Sequence, residues 1–221
     1  MKNYNNFEHS CLDARTVFGY ILLMTDFTAK QTQTRERILK AARQLVLAKG
    51  IEKLSLREIA RTVGFSPSSL YEYFDGKEEI VIALKLRASA MLYQAMKKAS
   101  ESLKPLPALA AMCGAYVGFA KTNSEDFVLL FSRSRSIRRT LKEPEIPSSG
   151  YALVLETVIS GISKGQINKT KKRSAEDMAY GLWALVHGMA TLQTTHLKGF
   201  QADFENADRE AIDAFLDGLK Q

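Results

Sequence analysis

A 221-residue chain that is 46% hydrophobic and 25% charged can bury a core of its own, as one large domain or as a small one joined to a larger. Its formal net charge of +7 suits a polyanionic partner without establishing one, because surplus charge governs solubility and loose association. Two cysteines, Cys11 and Cys113, argue against a disulfide framework, and no apolar run approaches the ~18–20 residues of a membrane-crossing helix.

Residues 1–30 are Asn-rich, lack a sustained helical period and run into the polar stretch Thr28–Thr34, so we expect a flexible N-terminal extension. Met24 opens MTDFTAKQTQTRERIL, the pattern of a short arm leading to a first helix. A start near Met24, with 1–23 as an upstream extension, is the expectation, and a native disordered arm is the alternative. Val17–Met24 has the size of a signal-peptide core, but Glu8 and Asp13 precede it and no small-residue cleavage site follows. That points to a cytoplasmic protein.

From Thr34 the apolar period is helical: Ile38, Ala41, Ala42, Leu45, Val46 and Ala48 form one stripe, stopped by Gly50. Ser55-Leu56-Arg57-Glu58 is a capping box for a second helix that ends at Gly64. Ser66 then caps a third, with Pro67 at the first helical position, where its missing N–H costs nothing. Asp75-Gly76 makes a turn, and a fourth helix runs from Lys77 to about Leu103. After Pro105 and Pro107, helices are predicted at about 106–122, 124–132, 148–164, 174–197 and 205–220. Cys113 falls in an apolar helical stretch and reads as a buried thiol. No strand-like alternation, internal repeat or low-complexity tract is present. The fold class is all-α, with an N-terminal three-helix unit followed by a larger helical domain.

Between Arg35 and Arg61 stand eight basic residues (Arg35, Arg37, Lys40, Arg43, Lys49, Lys53, Arg57, Arg61) against three acidic ones (Glu36, Glu52, Glu58). A locally basic pair of helices joined by a tight turn can hold its second helix proud, so that the N-terminal residues of that helix reach base edges. Ile59, Ala60, Val63, Phe65 and Leu70 supply the small core that sets the crossing angle, and Gly64 supplies the left-handed turn. Pro67, Ser68, Ser69, Tyr71 and Tyr73 are then exposed short hydroxyls and phenols, able to meet phosphates or a thymine methyl. Lys77 begins a helix, where backbone N–H groups favour a phosphate.

These residues carry a resemblance. The run LSLREIARTVGFSPSSLYEYFDGKEEI, residues 54–80, with the helix before it, resembles the TetR family of bacterial repressors. The resemblance implies that the segment binds operator DNA as a dimer and that Tyr71 and Lys77 contact it. Ser69 fills the place of a usual Thr, Tyr73 that of a usual His, and Arg57 a position where family members sometimes read a base. Ser55 and Ser68 depart from a more frequent Thr and Gly, which bears on the operator sequence. The candidate DNA contacts are Ser55, Arg57, Ser66, Pro67, Ser68, Ser69, Tyr71, Tyr73 and Lys77. The domains expected are a helix-turn-helix DNA-binding domain over 31–91, with its motif at about 55–74, and a helical ligand-binding and dimerisation domain over 92–221.

Within the second domain, Trp183-Ala184-Leu185-Val186-His187-Gly188 resembles the C-terminal domain type named for its Trp, His and Gly. Trp183, His187 and Thr191 share one helix face, and Gly181 and Gly188 would permit close backbone approach. The last two helices resemble a dimerising pair that forms a four-helix bundle. That likeness places Leu182, Leu185, Val186, Met189, Ile212, Phe215, Leu216 and Leu219 around the dimer surface. Met91, Phe127 and Phe131 belong to a body rich in Met, Tyr and Phe, in which core packing is the ordinary role. Met112, Tyr116, Phe119, Tyr151, Trp183 and His187 are the candidate lining of a pocket for a small apolar or aromatic effector.

The basic runs Arg133, Arg135, Arg138, Arg139, Lys142 and Lys169, Lys171, Lys172, Arg173 read as solvated linkers. His9, His187 and His196 offer no metal-ligand spacing and no nucleophile–base arrangement, so neither an enzyme nor a metal or cofactor protein is expected. The expected function is a sequence-specific DNA-binding transcriptional regulator: a homodimeric repressor released from a palindromic double-stranded operator by a small molecule. The rival is a helical small-molecule-binding or protein-docking module that no longer binds DNA.

Overall fold

The computed structural model describes residues 28–132, 149–169 and 173–220. Among these, eight α-helices and two short 3-10 helices form, without strands. The described residues divide into two compact units, the first ending at Arg87 and the second beginning at Ala88.

In the first unit, α1 spans Ala29–Lys49 and begins five residues before the helical period is visible at Thr34. The cause is a reciprocal cap. Thr28 Oγ1 accepts the Gln31 N–H at 3.3 Å while Gln31 Oε1 accepts the Thr28 N–H at 2.9 Å, satisfying donors that a helix start leaves open. Residues 28–30 therefore belong to the helix end and not to an extension. The rest of the expected extension, with Cys11, His9 and the Met24 start, lies outside the described residues.

A 3-10 turn at Ile51–Lys53 leads to α2, Leu56–Val63, whose apolar Ile59, Ala60 and Val63 are buried against α1. Gly64 closes α2 in the left-handed region (φ 76, ψ 31), and the Phe65 N–H reaches the Ala60 carbonyl at 2.8 Å. An L residue with a Cβ would be strained there. The predicted third α-helix is instead a 3-10 helix, Ser68–Glu72, built on bonds such as Leu70 N–H to Pro67 O at 3.4 Å and Tyr73 N–H to Leu70 O at 2.9 Å. The element is a short piece connecting the turns at Gly64 and Gly76, the setting in which 3-10 geometry is commonly used. Helix α3 follows over Lys77–Ser100 and contributes residues to both units.

In the second unit α4 (Pro105–Thr122) packs against α5 (Ser124–Leu130), α6 (Gly150–Ser163), α7 (Ala175–Thr194) and α8 (Phe204–Asp217). Leu109, Cys113, Tyr116, Val158 and Leu182 are sealed in the middle. Of the two glycines expected to permit close approach on α7, only Gly181 does so: a Cβ there would lie 3.0 Å from the Phe215 ring, whereas Gly188 has open space around it.

Five of the residues expected around a dimer surface are placed otherwise. Leu182, Val186, Ile212, Leu216 and Leu219 are each at most 5% exposed within the single chain, because α7 and α8 both pack on α4 and these residues join the chain's own core. Leu185, Met189 and Phe215 are only partly buried. Arg173 is also not a plain linker residue, since its guanidinium donates to the Gly218 carbonyl at 3.1 Å, beside the end of α8. The Arg133–Lys142 run, Lys171 and Lys172 lie outside the described residues.

Candidate nucleic-acid interface

Two apolar anchors fix the short 3-10 element. Leu70 is fully buried and Phe74 nearly so, while Tyr71 between them is 59% exposed. A one-turn element with buried residues four apart must turn its other side outward. Ser66, Pro67 and Ser68 are exposed on it, and Ser69 is half-buried. Ser66 Oγ accepts the Ser69 N–H at 3.2 Å and lies 2.8 Å from the hydroxyls of both Ser68 and Ser69. Ser66 thus performs the capping that its sequence position suggests, although the element it caps is not α. Three hydroxyls are brought together at the start of an exposed turn, a group able to donate and to accept.

The other candidate contacts are less free. Ser55 Oγ accepts the Glu58 N–H at 3.2 Å as the N-cap of α2. Arg57 is exposed on the first turn of that helix. Tyr73 is half-buried, its ring stacked on Phe65 with centroids 6.2 Å apart. The Lys77 ammonium donates to the Glu52 carbonyl at 3.3 Å. Glu78 and Glu79 occupy the first turn of α3, so the positive end of that helix is already countered by acids.

The basic surface is smaller than a count of charges implies. Arg37 donates to the Val63 carbonyl at 3.1 Å and lies over the Phe65 ring. Lys49 pairs with Glu58 at 2.5 Å, and that hydrogen bond holds the Glu58 carboxyl below its ordinary range. Arg35 is 5% exposed and engaged with the 73–79 segment. Its burial was legible: Arg35, Ile38, Leu39 and Ala42 fall at i, i+3, i+4 and i+7, one helix face. Lys40, Lys53, Arg57 and Arg61 are exposed.

In the second unit, Met112, Tyr116 and Phe119 are buried, and Tyr151, Trp183 and His187 are half-buried. The Tyr116 hydroxyl sits 2.9 Å from His187 Nδ1. Around that imidazole stand Phe131, Phe127 and Trp183, with ring centroids at 4.5, 5.5 and 5.7 Å, and Tyr151 lies 5.9 Å from Trp183. Burial lowers the His187 pKa and raises that of Tyr116, in each case favouring the neutral form. Burial also pushes the Cys113 thiol up to about 12. The space among Met96, Met112, Tyr116, Trp183 and Val186 is about 10 Å³, roughly one water's worth. Phe119, Tyr151 and His187 do not line it. A wider opening of about 450 Å³ lies between α4 and α8, beside Gly114, Val117, Gly118, Lys121, Asp208 and Asp213, residues with no distinctive sequence signal. Among the described residues, no helix is long and apolar enough to cross a membrane.

Comparison with known proteins bears on both units. Residues 38–84 match the family described as bacterial regulatory proteins, tetR family. Residues 109–219 match the family described as tetracyclin repressor-like, C-terminal domain, a description that does not mention the Trp-His-Gly type. The chain is 24% identical over 186 residues to the uncharacterized HTH-type transcriptional regulator YobS of Bacillus subtilis strain 168, covering 84% of this chain and 92% of that one. Its fold is similar to that of a Rhodococcus sp. RHA1 protein of unknown function, with a TM-score of 0.71 at 23% identity, over 98% of this chain and 100% of that one. It is also similar to the TetR family transcriptional regulator PfmR of Thermus thermophilus, with a TM-score of 0.60 at 25% identity, over 85% and 97% of the two chains.

Proposed function

The chain belongs to the tetR family of bacterial regulatory proteins and is a DNA-binding transcriptional regulator; on that premise we propose how its residues divide the work. Tyr71, Ser68, Ser69 and Pro67 meet base edges and sugar, Arg57 and Tyr73 flank them, and Lys77 meets a phosphate. Ser55 and Ser66 act chiefly as caps that hold the reading surface in register. The observation that supports this most is the exposure of Tyr71 between two buried anchors, beside a cluster of three hydroxyls.

The chain acts as a homodimer on a palindromic operator in the cytoplasm, since one small reading head binds weakly and two linked heads add their effects. Half-site centres then lie ~34–36 Å apart or a somewhat longer span. Leu185, Met189 and Leu192, at i, i+4 and i+7 on α7, support a second copy as the cover of that face: the first two are partly buried and Leu192 is 50% exposed. Repression is relieved by a small apolar or aromatic molecule that opens the closed space beside Trp183. The Tyr116–His187 pair supplies one hydrogen-bonding handle, a common economy of apolar pockets. A near-complete switch requires ~5 kcal/mol of differential affinity between the two states.

The experiment is selection of fragments bound by the full chain from genomic DNA, followed by salt titration of the recovered duplex. A band that prefers sequence and weakens steeply with salt is expected. Binding that neither prefers sequence nor responds to salt would favour a helical docking or carrier module.

A further inference from the structure

Arg35 looks like one more member of the basic face, yet its side chain is 6% exposed and sits at the junction of three elements of the first unit. From α1 its guanidinium donates to the Tyr73 carbonyl, the backbone group that ends the 3-10 reading element. The same guanidinium lies over Phe74, its Cζ 3.9 Å from the ring centroid, and pairs with Glu79 at 3.5 Å on the first turn of α3. The other Glu79 oxygen accepts the Asp75 N–H at 2.5 Å. One cation and one carboxylate therefore hold residues 73, 74, 75 and 79 together, spanning the turn that leaves the reading element.

We propose that Arg35 is a positioning residue for DNA reading: with Glu79 it clamps the exit of the 3-10 element and so sets the angle at which Tyr71 and the serine hydroxyls are presented. The inference rests on the DNA-reading account of that surface. A planar guanidinium suits the task because its fork can serve a carbonyl and a carboxylate together while its face stacks on an aromatic ring. An ammonium cannot do all three. A five-residue element has too few internal hydrogen bonds to fix its own direction, so the bond at its last carbonyl carries more of the orientation than in a long helix.

The clamp makes a distinction that a purely structural ion pair would not. Replacing both partners of a buried pair by apolar groups of similar volume is often neutral for stability. Arg35→Met/Glu79→Met keeps the net charge, and so keeps the long-range attraction to DNA. Full-length parent, R35K, R35M and R35M/E79M proteins are compared on two duplexes, one selected by the parent from a random pool and one scrambled. Thermal melting runs in parallel.

The double variant is expected to fold, to melt somewhat below the parent because the Tyr73 carbonyl and the Asp75 N–H lose their partners, and to keep the parent's salt slope. It should lose about tenfold in affinity for the selected duplex, the scale of one good base contact, with little change on the scrambled one. R35K should fall on the same side as R35M despite its charge. Parent-like affinity of the double variant for the selected duplex overturns the inference. A salt slope lower by about one unit would also overturn it, by making Arg35 a phosphate contact instead. If the double variant does not fold, R35K alone decides, since parent-like discrimination by R35K contradicts the need for a fork. A parent chain that selects no sequence removes the DNA-reading account itself, and the inference with it.

Discussion

The reading head and the helical body solve opposite problems, one with a short 3-10 element and the other with α-helices. In the head, apolar anchors such as Leu70 and Phe74 lie beneath a polar surface left open, with Tyr71 59% exposed and the Ser66 hydroxyl in contact with those of Ser68 and Ser69. In the body the polar groups turn inward, and the Tyr116 hydroxyl meets His187 among four other aromatic rings. An outward polar surface suits a ligand too large to enclose, and an inward one suits a ligand small enough to surround.

The largest effect that would break this contrast is loss of an anchor. Leu70→Ala should cost ~2–5 kcal/mol of head stability, by transfer and cavity terms together, and abolish operator binding, while the body's ring cluster keeps its near-ultraviolet dichroism. Simultaneous loss of both signals in denaturant would show that the two units are one cooperative body.

Tyr71→Ala tests the exposed surface itself. It should lower affinity for the selected duplex by ~1–3 kcal/mol, the scale of a base contact, and change which base is preferred there. Equal losses on selected and scrambled DNA would make Tyr71 a backbone contact. Ser66→Ala, which removes the cap of the Ser69 N–H, should cost ~0.5–2 kcal/mol in chemical denaturation. A cost near zero would show that the hydroxyl cluster is held by solvent instead.

The smallest effect is expected in the body. Burial lowers the His187 pKa below its ordinary value of 6.5, so the unfolded chain binds a proton more readily than the folded one. Stability from this group is therefore complete above pH ~6.5 and falls as the pH drops below it, until the lowered folded value is reached. His187→Gln should flatten that part of the stability profile. An unchanged profile would place the dependence on other groups.

Most of the head was legible because its signals are local. Ser55, Gly64 and Ser66 each act within a few residues as cap or stop where the sequence puts them, but the expected box at Ser55 is only half made: Ser55 Oγ accepts the Glu58 N–H while the Glu58 carboxylate turns to Lys49. The Thr28–Gln31 box is just as local, but in a polar run it reads as an arm because no apolar stripe accompanies it. The 3-10 character of the reading element was not legible, since capping signals are shared by both kinds of helix. In the body, helix positions followed from period and breakers, but what the helices enclose did not. Tyr116 and His187 are 71 residues apart, and no local pattern announces which aromatic rings converge. For the same reason Leu182, Val186, Ile212, Leu216 and Leu219 read as a surface for a second copy, although they pack within one. Apolar periodicity says that a face is covered, not by what.

Sequence reading by the face around Tyr71 is open to a single measurement. Its most direct test is the ratio of the full chain's affinities for the selected and scrambled duplexes at one salt concentration. A ratio of about 10³ or more is expected, as for specific DNA readers. A ratio near one would contradict it.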